Sequence, residues 1–187
     1  MIDNATLRAI RARRSVRNFA PAPVGDEQLE AILEAGRWAP SARNSQPWDF
    51  VIVRDEQARR AIGDILRRTT FAWSGFASAP VMIVVAVDQS RDPGHFVEDG
   101  AVAAQNLCLA AQSLGLASSW AGVYERRAGR RSVESALKAM LSLPRDHRVI
   151  AVVPIGAPRR VGTTTRRPLT EMVHHDRFGS MLSSRRR

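Results

Sequence analysis

Apolar residues recur at two spacings along this chain, and the switching between them sets out its elements. Leu7 and Ile10 stand at helical spacing with Arg8 and Arg11 on other faces, which predicts a short helix over 4–12. That helix runs into a basic stretch, Arg13, Arg14, Ser15, Val16 and Arg17, and then into a proline-stiffened connector at 19–24. Asp26 has the character of a helix cap; Leu29, Ile32, Leu33 and Gly36 follow at three- and four-residue steps, and Pro40 ends the helix. Pro47 opens a strand over 48–53, closed by the charged turn Arg54, Asp55 and Glu56. Ala58, Ile62, Ile65 and Leu66 mark a third helix, and 81–87 is an unbroken apolar run of the kind covered on both faces of a sheet. An alanine-rich helix over 97–114 follows, with Leu107, Ala111 and Leu114 on its apolar side. Residues 115–124 lead into another strand, 132–141 reads as helix and 149–155 as a further strand. Beyond residue 156 only 169–173 has the pattern of a helical turn.

The order is mixed, with helices on both sides of a small sheet and strands too far apart to be hairpins. No internal repeat or low-complexity tract appears. The segment from residue 157 onward has too few apolar residues to fold by itself, so it lies on the domain, lies on a partner chain or stays mobile. Residues 1–173 are therefore read as one domain, with 174–187 a basic tail.

Composition narrows the field. Apolar residues are 44% and charged residues 25% of the chain, the balance of a globular protein. The single cysteine, Cys108, excludes an intrachain disulfide and a cysteine-rich zinc site. The run at 81–87 is far short of the ~20 residues that span a bilayer, and the N-terminus lacks a secretory pattern. The expectation is a cytoplasmic protein away from membranes. Net charge is +10, and every basic residue except Lys138 is arginine. The excess favours anionic partners, while so general an arginine background weakens any argument from one of them.

Several chemistries fail at once. His174 and His175 are adjacent, His95 and His147 stand alone, and no spacing suits a metal. There is no nucleophile elbow, dinucleotide fingerprint or Walker loop, and Cys108, among leucines and alanines, reads as a packing residue. Four segments stand out instead. In the first, Arg13, Ser15 and Arg17 share a face if the backbone is extended, and Arg14 and Arg17 share one if it is helical. Either geometry converges guanidinium forks on one small anion; a solvated basic turn is the plainer reading. The second is the proline-bounded loop from Ala39 to Trp48, whose hydroxyls and amides suit polyols and heterocycle edges, though it also reads as an ordinary helix-to-strand connection. The third is Trp120, Ala121 and Gly122, where glycine lets backbone N–H groups approach a planar ligand. The fourth pairs Gly156, Ala157, Pro158, Arg159 and Arg160 with Thr165, Arg166, Arg167 and Pro168, a second arginine source that could close an anion site or simply be a charged tail.

In this order the stretches RRSVRNF, APSARNSQPWDFVIV, EDGAVAAQNLCLAAQSLGLASSWAG, VPIGAP and RRPLTEMV resemble the nitroreductase family of FMN-dependent oxidoreductases. The resemblance implies an α+β fold, a three-layer α/β/α sandwich with a mainly antiparallel sheet, and a homodimer in which the C-terminal tail is domain-swapped onto the partner. It implies FMN as cofactor, with Arg13, Arg14, Ser15 and Arg17 on its phosphate and ribityl chain and one arginine reaching the pyrimidine side. Pro40, Ser41, Ala42 and Asn44 would meet the flavin from the second subunit. Ala121 and Gly122 would offer backbone N–H groups near N5 and O4, Trp120 would shape that wall, and Arg166 or Arg167 would complete the phosphate grip. Asp99 falls where the family places a polar group near the isoalloxazine. No metal is implied, and no side chain is assigned a catalytic proton transfer, since the cofactor carries the chemistry. NADPH or NADH would be the electron donor, and a nitroaromatic, a quinone or a related small molecule the acceptor, in a ping-pong cycle. Alternatives on the same flavin fold are dehalogenation, flavin fragmentation and deazaflavin-linked reduction. A nucleic-acid-binding role is the rival from another class, set back by arginines scattered without interleaved aromatics. Residues 67–76 match nothing in the resemblance and, with Tyr124 and Arg126, are expected to shape the substrate opening.

Overall fold

The computed structural model describes residues 2–68, 75–126, 129 and 132–180. The elements come in the predicted order: α1 (Ala5–Ala12), α2 (Asp26–Arg37), β1 (Trp48–Val53), α3 (Glu56–Leu66), β2 (Val81–Asp88), α4 (Phe96–Ser113), β3 (Ala117–Ser118), β4 (Ala121–Gly122), α5 (Val133–Met140) and β5 (His147–Gly156). Local polar groups fix the helix starts. Asn4, Asp55 and Ser132 each accept the backbone N–H three residues on, at 2.9, 2.8 and 3.0 Å, closing otherwise unpaired donors. Asp26 differs from expectation: Gly25 occupies the cap, its N–H covered by the Gln28 side chain, and Asp26 begins the helix and pairs with Arg54 at 2.7 Å.

The sheet is antiparallel throughout, in the order β1-β2-β5, with β3 and β4 in tandem along the far side of β5. Helices α2 and α4 cover one face, burying Ile32, Leu107 and Ala111 against Ile83, Val85 and Val153. Helices α3 and α5 cover the other, where Ile62, Leu66 and Leu137 meet Met82, Val84 and Val152. Val81 to Val87 are all buried, as an uninterrupted apolar strand between two helical layers must be.

Two irregularities shape the region beside β4. The β2–β5 register shifts between Val85 and Ala86, passing over Ile150. On the other side the Ile150 carbonyl accepts both Val123 N–H (3.0 Å) and Tyr124 N–H (3.4 Å). This bulge turns Tyr124 toward the α4 layer, where it shares a cluster with Trp48, Val87 and Phe96. Gly100 lets α4 press onto the sheet here: a Cβ at that position would lie 2.5 Å from Ile150 Cγ1 and 2.9 Å from Val87 Cγ1.

The segment after β5 is tied at its root. Ala20 N–H donates to the Ala157 carbonyl at 2.8 Å, and Arg159 Nε donates to the Phe19 carbonyl at 3.0 Å. Further on, Val161, Leu169, Met172 and Phe178 are exposed, Phe178 at 91%. Of the 67–76 segment expected at the substrate opening, residues 69–74 lie outside the described residues, as do 181–187 of the basic tail. No helix among the described residues is long and apolar enough to cross a membrane.

Candidate functional site

The basic stretch after α1 adopts the extended geometry. Ser15 bridges Ser118 in parallel, and Val16 N–H donates to the Ser118 carbonyl at 2.9 Å, so the stretch is pinned beside β3 at this one point. Val16 is buried with Phe19, Ala79 and Ala117. Ser15 and Arg17, on either side of buried Val16, are exposed, as extended backbone requires. The Arg14 guanidinium turns back to donate to the Arg11 and Arg13 carbonyls at 2.6 and 2.9 Å, satisfying acceptors left open by the end of α1.

Arg13, Arg14 and Ser15 form one wall of a cleft of about 220 Å³ whose other wall is Gly162, Thr163, Thr164 and Arg166. Arg166 is steadied by Thr164 Oγ1 at 3.0 Å and the Thr165 carbonyl at 2.9 Å. Among the described residues none of Arg13, Arg14 and Arg166 pairs with a carboxylate. The cleft therefore gathers fixed positive charge, hydroxyls and backbone with nothing of its own to neutralise it, the chemistry of an oxyanion or phosphate site. Of the two candidates in the second arginine source, Arg166 lines this cleft and Arg167 does not. Sequence reasoning missed Gly162, Thr163 and Thr164. Their signal was a glycine and a run of hydroxyl residues between two arginine pairs.

The neighbouring wall owes its form to Pro154. Ala117 and Ser118 pair with Gly156 and Ile155, and Ala121 and Gly122 pair with Val152 and Ala151, all in one register. Between them Ser119 N–H reaches the Pro154 carbonyl at 3.3 Å, but proline has no N–H to return, and the ladder opens at Ser119 and Trp120. Ser118 and Ser119 are buried there, and among the described residues neither hydroxyl makes a hydrogen bond of ordinary geometry. Since Val123 N–H points to β5, alternation turns Gly122 N–H to the open edge of the sheet. Among the described residues a Cβ on Gly122 would meet only Trp120 Nε1, at 3.7 Å. Ala121 is buried in the opposite layer.

The loop between α2 and β1 is held in an unusual form. Arg43, Asn44 and Gln46 have φ of 54°, 55° and 46°, in the left-handed region. Asparagine tolerates this region; arginine and glutamine there cost of order 1 kcal/mol each unless something holds them. Asp99, buried in the first turn of α4, accepts Ala42 N–H on Oδ1 at 3.0 Å and the Ser45 hydroxyl on Oδ2 at 3.3 Å. Asp92, fully buried, accepts from Arg43 Nη2 at 3.2 Å and Gly94 N–H at 3.1 Å. Burial pushes the Asp92 carboxyl up, yet the Gly94 amide, His95 and Arg43 together hold it below the usual carboxylate range. Both Asp99 oxygens are thus engaged by the loop. Within one chain Pro40, Ser41, Ala42 and Asn44 do not line the arginine cleft. Cys108 is on the buried face of α4, where burial pushes its thiol up against the smaller opposing effects of Ser118 and Arg13, consistent with a packing role.

The model of the nitroreductase family matches this chain over residues 10–72 and 66–157. A relative from Archaeoglobus fulgidus, named for NADH dehydrogenase/NAD(P)H nitroreductase activity, is 36% identical over 156 residues, covering 82% of this chain and 85% of its own length. The 5,6-dimethylbenzimidazole synthase of Rhodospirillum rubrum is 29% identical over 192 residues, covering 83% and 87%. Among solved structures, an FMN-dependent nitroreductase from Clostridium difficile R20291 superposes with a TM-score of 0.82 at 25% identity, covering 92% of this chain and 99% of that one. An α+β sandwich with an antiparallel sheet, carrying an arginine-walled anion cleft at the sheet edge, is the class that the fold and site define. The chain belongs to the nitroreductase family and is an oxidoreductase of that family.

Proposed function

We propose that this protein is a homodimeric, FMN-dependent NAD(P)H oxidoreductase that reduces small nitroaromatic or quinone acceptors. The observation that carries the reading is the cleft of Arg13, Arg14, Ser15, Thr163, Thr164 and Arg166, at the sheet edge where Ser15 bridges Ser118. Its donor set fits a phosphate monoester: only donors and hydroxyls, with no carboxylate to repel a dianion. FMN supplies hydride chemistry when bound.

The chain's own work is binding and orientation. Arg13, Arg14, Ser15 and Arg166 would neutralise the phosphate, with Arg17 continuing the same face toward the ribityl chain and ring. Gly122 N–H, fixed by the ladder on either side of it, would donate to the N5–O4 edge at no cost in reorganisation. Trp120 would wall that edge. Pro40, Ser41, Ala42 and Asn44 would serve the site of the second copy, which accounts for their absence from the cleft of their own chain. The exposed apolar residues of the tail, Leu169, Met172 and Phe178, would be covered by that same copy.

A visible absorption spectrum of the purified protein tests the cofactor, with flavin bands expected at one FMN per chain. Anaerobic bleaching by NADPH or NADH, but not by a reduced deazaflavin, identifies the donor, and parallel double-reciprocal lines are expected for two substrates sharing one pocket. A colourless protein that gains no colour with added FMN overturns the reading, as does a monomer that binds FMN fully. The Rhodospirillum rubrum relative motivates a second reading, fragmentation of the flavin itself. Recovery of intact FMN after aerobic turnover removes it.

A further inference from the structure

The loop over 41–46 is a high-energy segment with an external brace. Three of its residues, Arg43, Asn44 and Gln46, take left-handed backbone without being glycine. Internal bonds close the turn: Gln46 N–H to Ser41 Oγ at 2.9 Å, Asn44 N–H to the Ser41 carbonyl and Ser45 N–H to the Ala42 carbonyl, both at 3.0 Å. These bonds shape the turn without fixing where it sits. That is done from outside, by Asp99 on Ala42 and Ser45, by Asp92 on Arg43, and by Arg91 Nη1 on the Gln46 carbonyl at 3.3 Å. Asp99 is the most constrained of the braces. It lies in the first turn of α4 beside Gly100, where the helix is pressed against Ile150 and Val87, so its carboxylate is referenced to the sheet.

We propose that Asp99 is a positioning residue for the flavin site: its carboxylate, seconded by Asp92, holds residues 41–46 in the left-handed form that Ser41, Ala42 and Asn44 need in order to meet the cofactor. The inference rests on the proposed function above and adds to it a residue that works through the loop and touches no cofactor. Strain of this kind persists only where surrounding structure over-determines it, and four anchors from one helix and its lead-in do so here. Without the carboxylate, Ala42 N–H loses its acceptor, Arg43 and Gln46 are free to return to ordinary backbone, and the contact atoms move away.

The test measures the FMN dissociation constant of the full-length protein, by quenching of flavin fluorescence, for wild type, Asp99→Ala, and Asp99→Ala combined with Gln46→Gly. Glycine at 46 adopts positive φ without strain and leaves every anchor side chain in place. Asp99→Ala, which removes both acceptors that hold the loop, is expected to weaken FMN about tenfold or more, and Gln46→Gly is expected to recover at least about a third of that loss on a logarithmic scale. A brace that merely stabilised the fold would give no such recovery, because glycine there removes contacts and adds none. Equal FMN affinity in wild type and Asp99→Ala overturns the proposal, as does a double variant no better than Asp99→Ala. Should Asp99→Ala fail to fold, Asp99→Asn and Ser45→Ala replace it, each expected to weaken FMN severalfold, and wild-type affinity in both overturns the proposal. Failure of wild type itself to bind FMN refutes the parent reading instead, and the two failures are distinct.

Discussion

Arg148 and Arg13 show how differently one residue type is used in this molecule. Arg148 grips buried Glu134 through two bonds of 2.6 and 2.8 Å, donates to the Glu125 carbonyl at 2.8 Å, and lies over the Tyr124 ring at 4.7 Å. Glu134 also accepts Val149 N–H at 3.1 Å, so the pair locks the start of α5 to β5. The Glu134 hydrogen bonds outweigh burial and hold the Arg148 guanidinium above its ordinary range. Arg13, by contrast, faces a cleft with Arg14 and Arg166 where, among the described residues, no acid answers any of them. In a chain whose basic residues are nearly all arginine, a buried carboxylate partner marks Arg148 as part of the fold, and the lack of one among the described residues is what makes Arg13 a candidate for a ligand.

The largest effect should come from breaking the satisfied pair. Glu134→Ala leaves a half-buried guanidinium uncompensated and should cost about 3–5 kcal/mol in urea denaturation, while the folded fraction binds FMN as before; a loss below about 1 kcal/mol would show the pair to be ornamental. Arg13→Ala should do the reverse. FMN affinity falls by about 1.5–3 kcal/mol, the worth of a hydrogen bond to a charged group, and stability stays within about 0.5 kcal/mol of wild type. If melting temperature falls and affinity holds, the contrast between the two arginines is wrong.

Gly122→Val sharpens the same contrast on neutral ground. The space over Gly122 accepts a side chain, so thermal stability should change little, while a branched group on the open edge should weaken FMN by about tenfold; unaltered FMN binding would remove Gly122 from the site. The smallest effect concerns acid. The Asp92 carboxyl is depressed in the folded state, so its stabilisation is complete above the unfolded carboxylate value of about 3.9 and is lost as pH falls through the folded value. Asp92→Asn should therefore flatten the acid limb of the stability profile below about pH 4, with little change in its slope near neutrality, and an unchanged acid limb would refute this.

The sequence carried the elements well because both helical layers and the central strands bury regular apolar patterns. Ile62, Leu66 and Leu137 announce their faces, and the run from Val81 to Val87 could hardly be anything but an interior strand. The extended course of residues 13–17 was open in the sequence, because both periods fit; burial of Val16 decided it. The sheet edge was only half legible. Residues 115–124 read as one strand, and its interruption depends on Pro154, thirty-odd residues away, facing it with no N–H. The left-handed backbone at Arg43 and Gln46 left no trace, since neither residue favours it; the cause lies in Asp92 and Asp99, in another part of the chain. The threonines of the cleft were hidden for a similar reason, as hydroxyl residues in a polar tail look alike until an arginine stands opposite.

The proline in β5 also bears on how copies of this protein coexist in concentrated solution. With β3 covered by residues 15–16 and β4 only two residues long beyond a gap, the margin offers an approaching backbone no continuous template to zip onto. So short and interrupted a rim disfavours lateral accretion into ordered aggregates. Restoring the missing donor by Pro154→Val would repair the seam and expose the chain to that hazard.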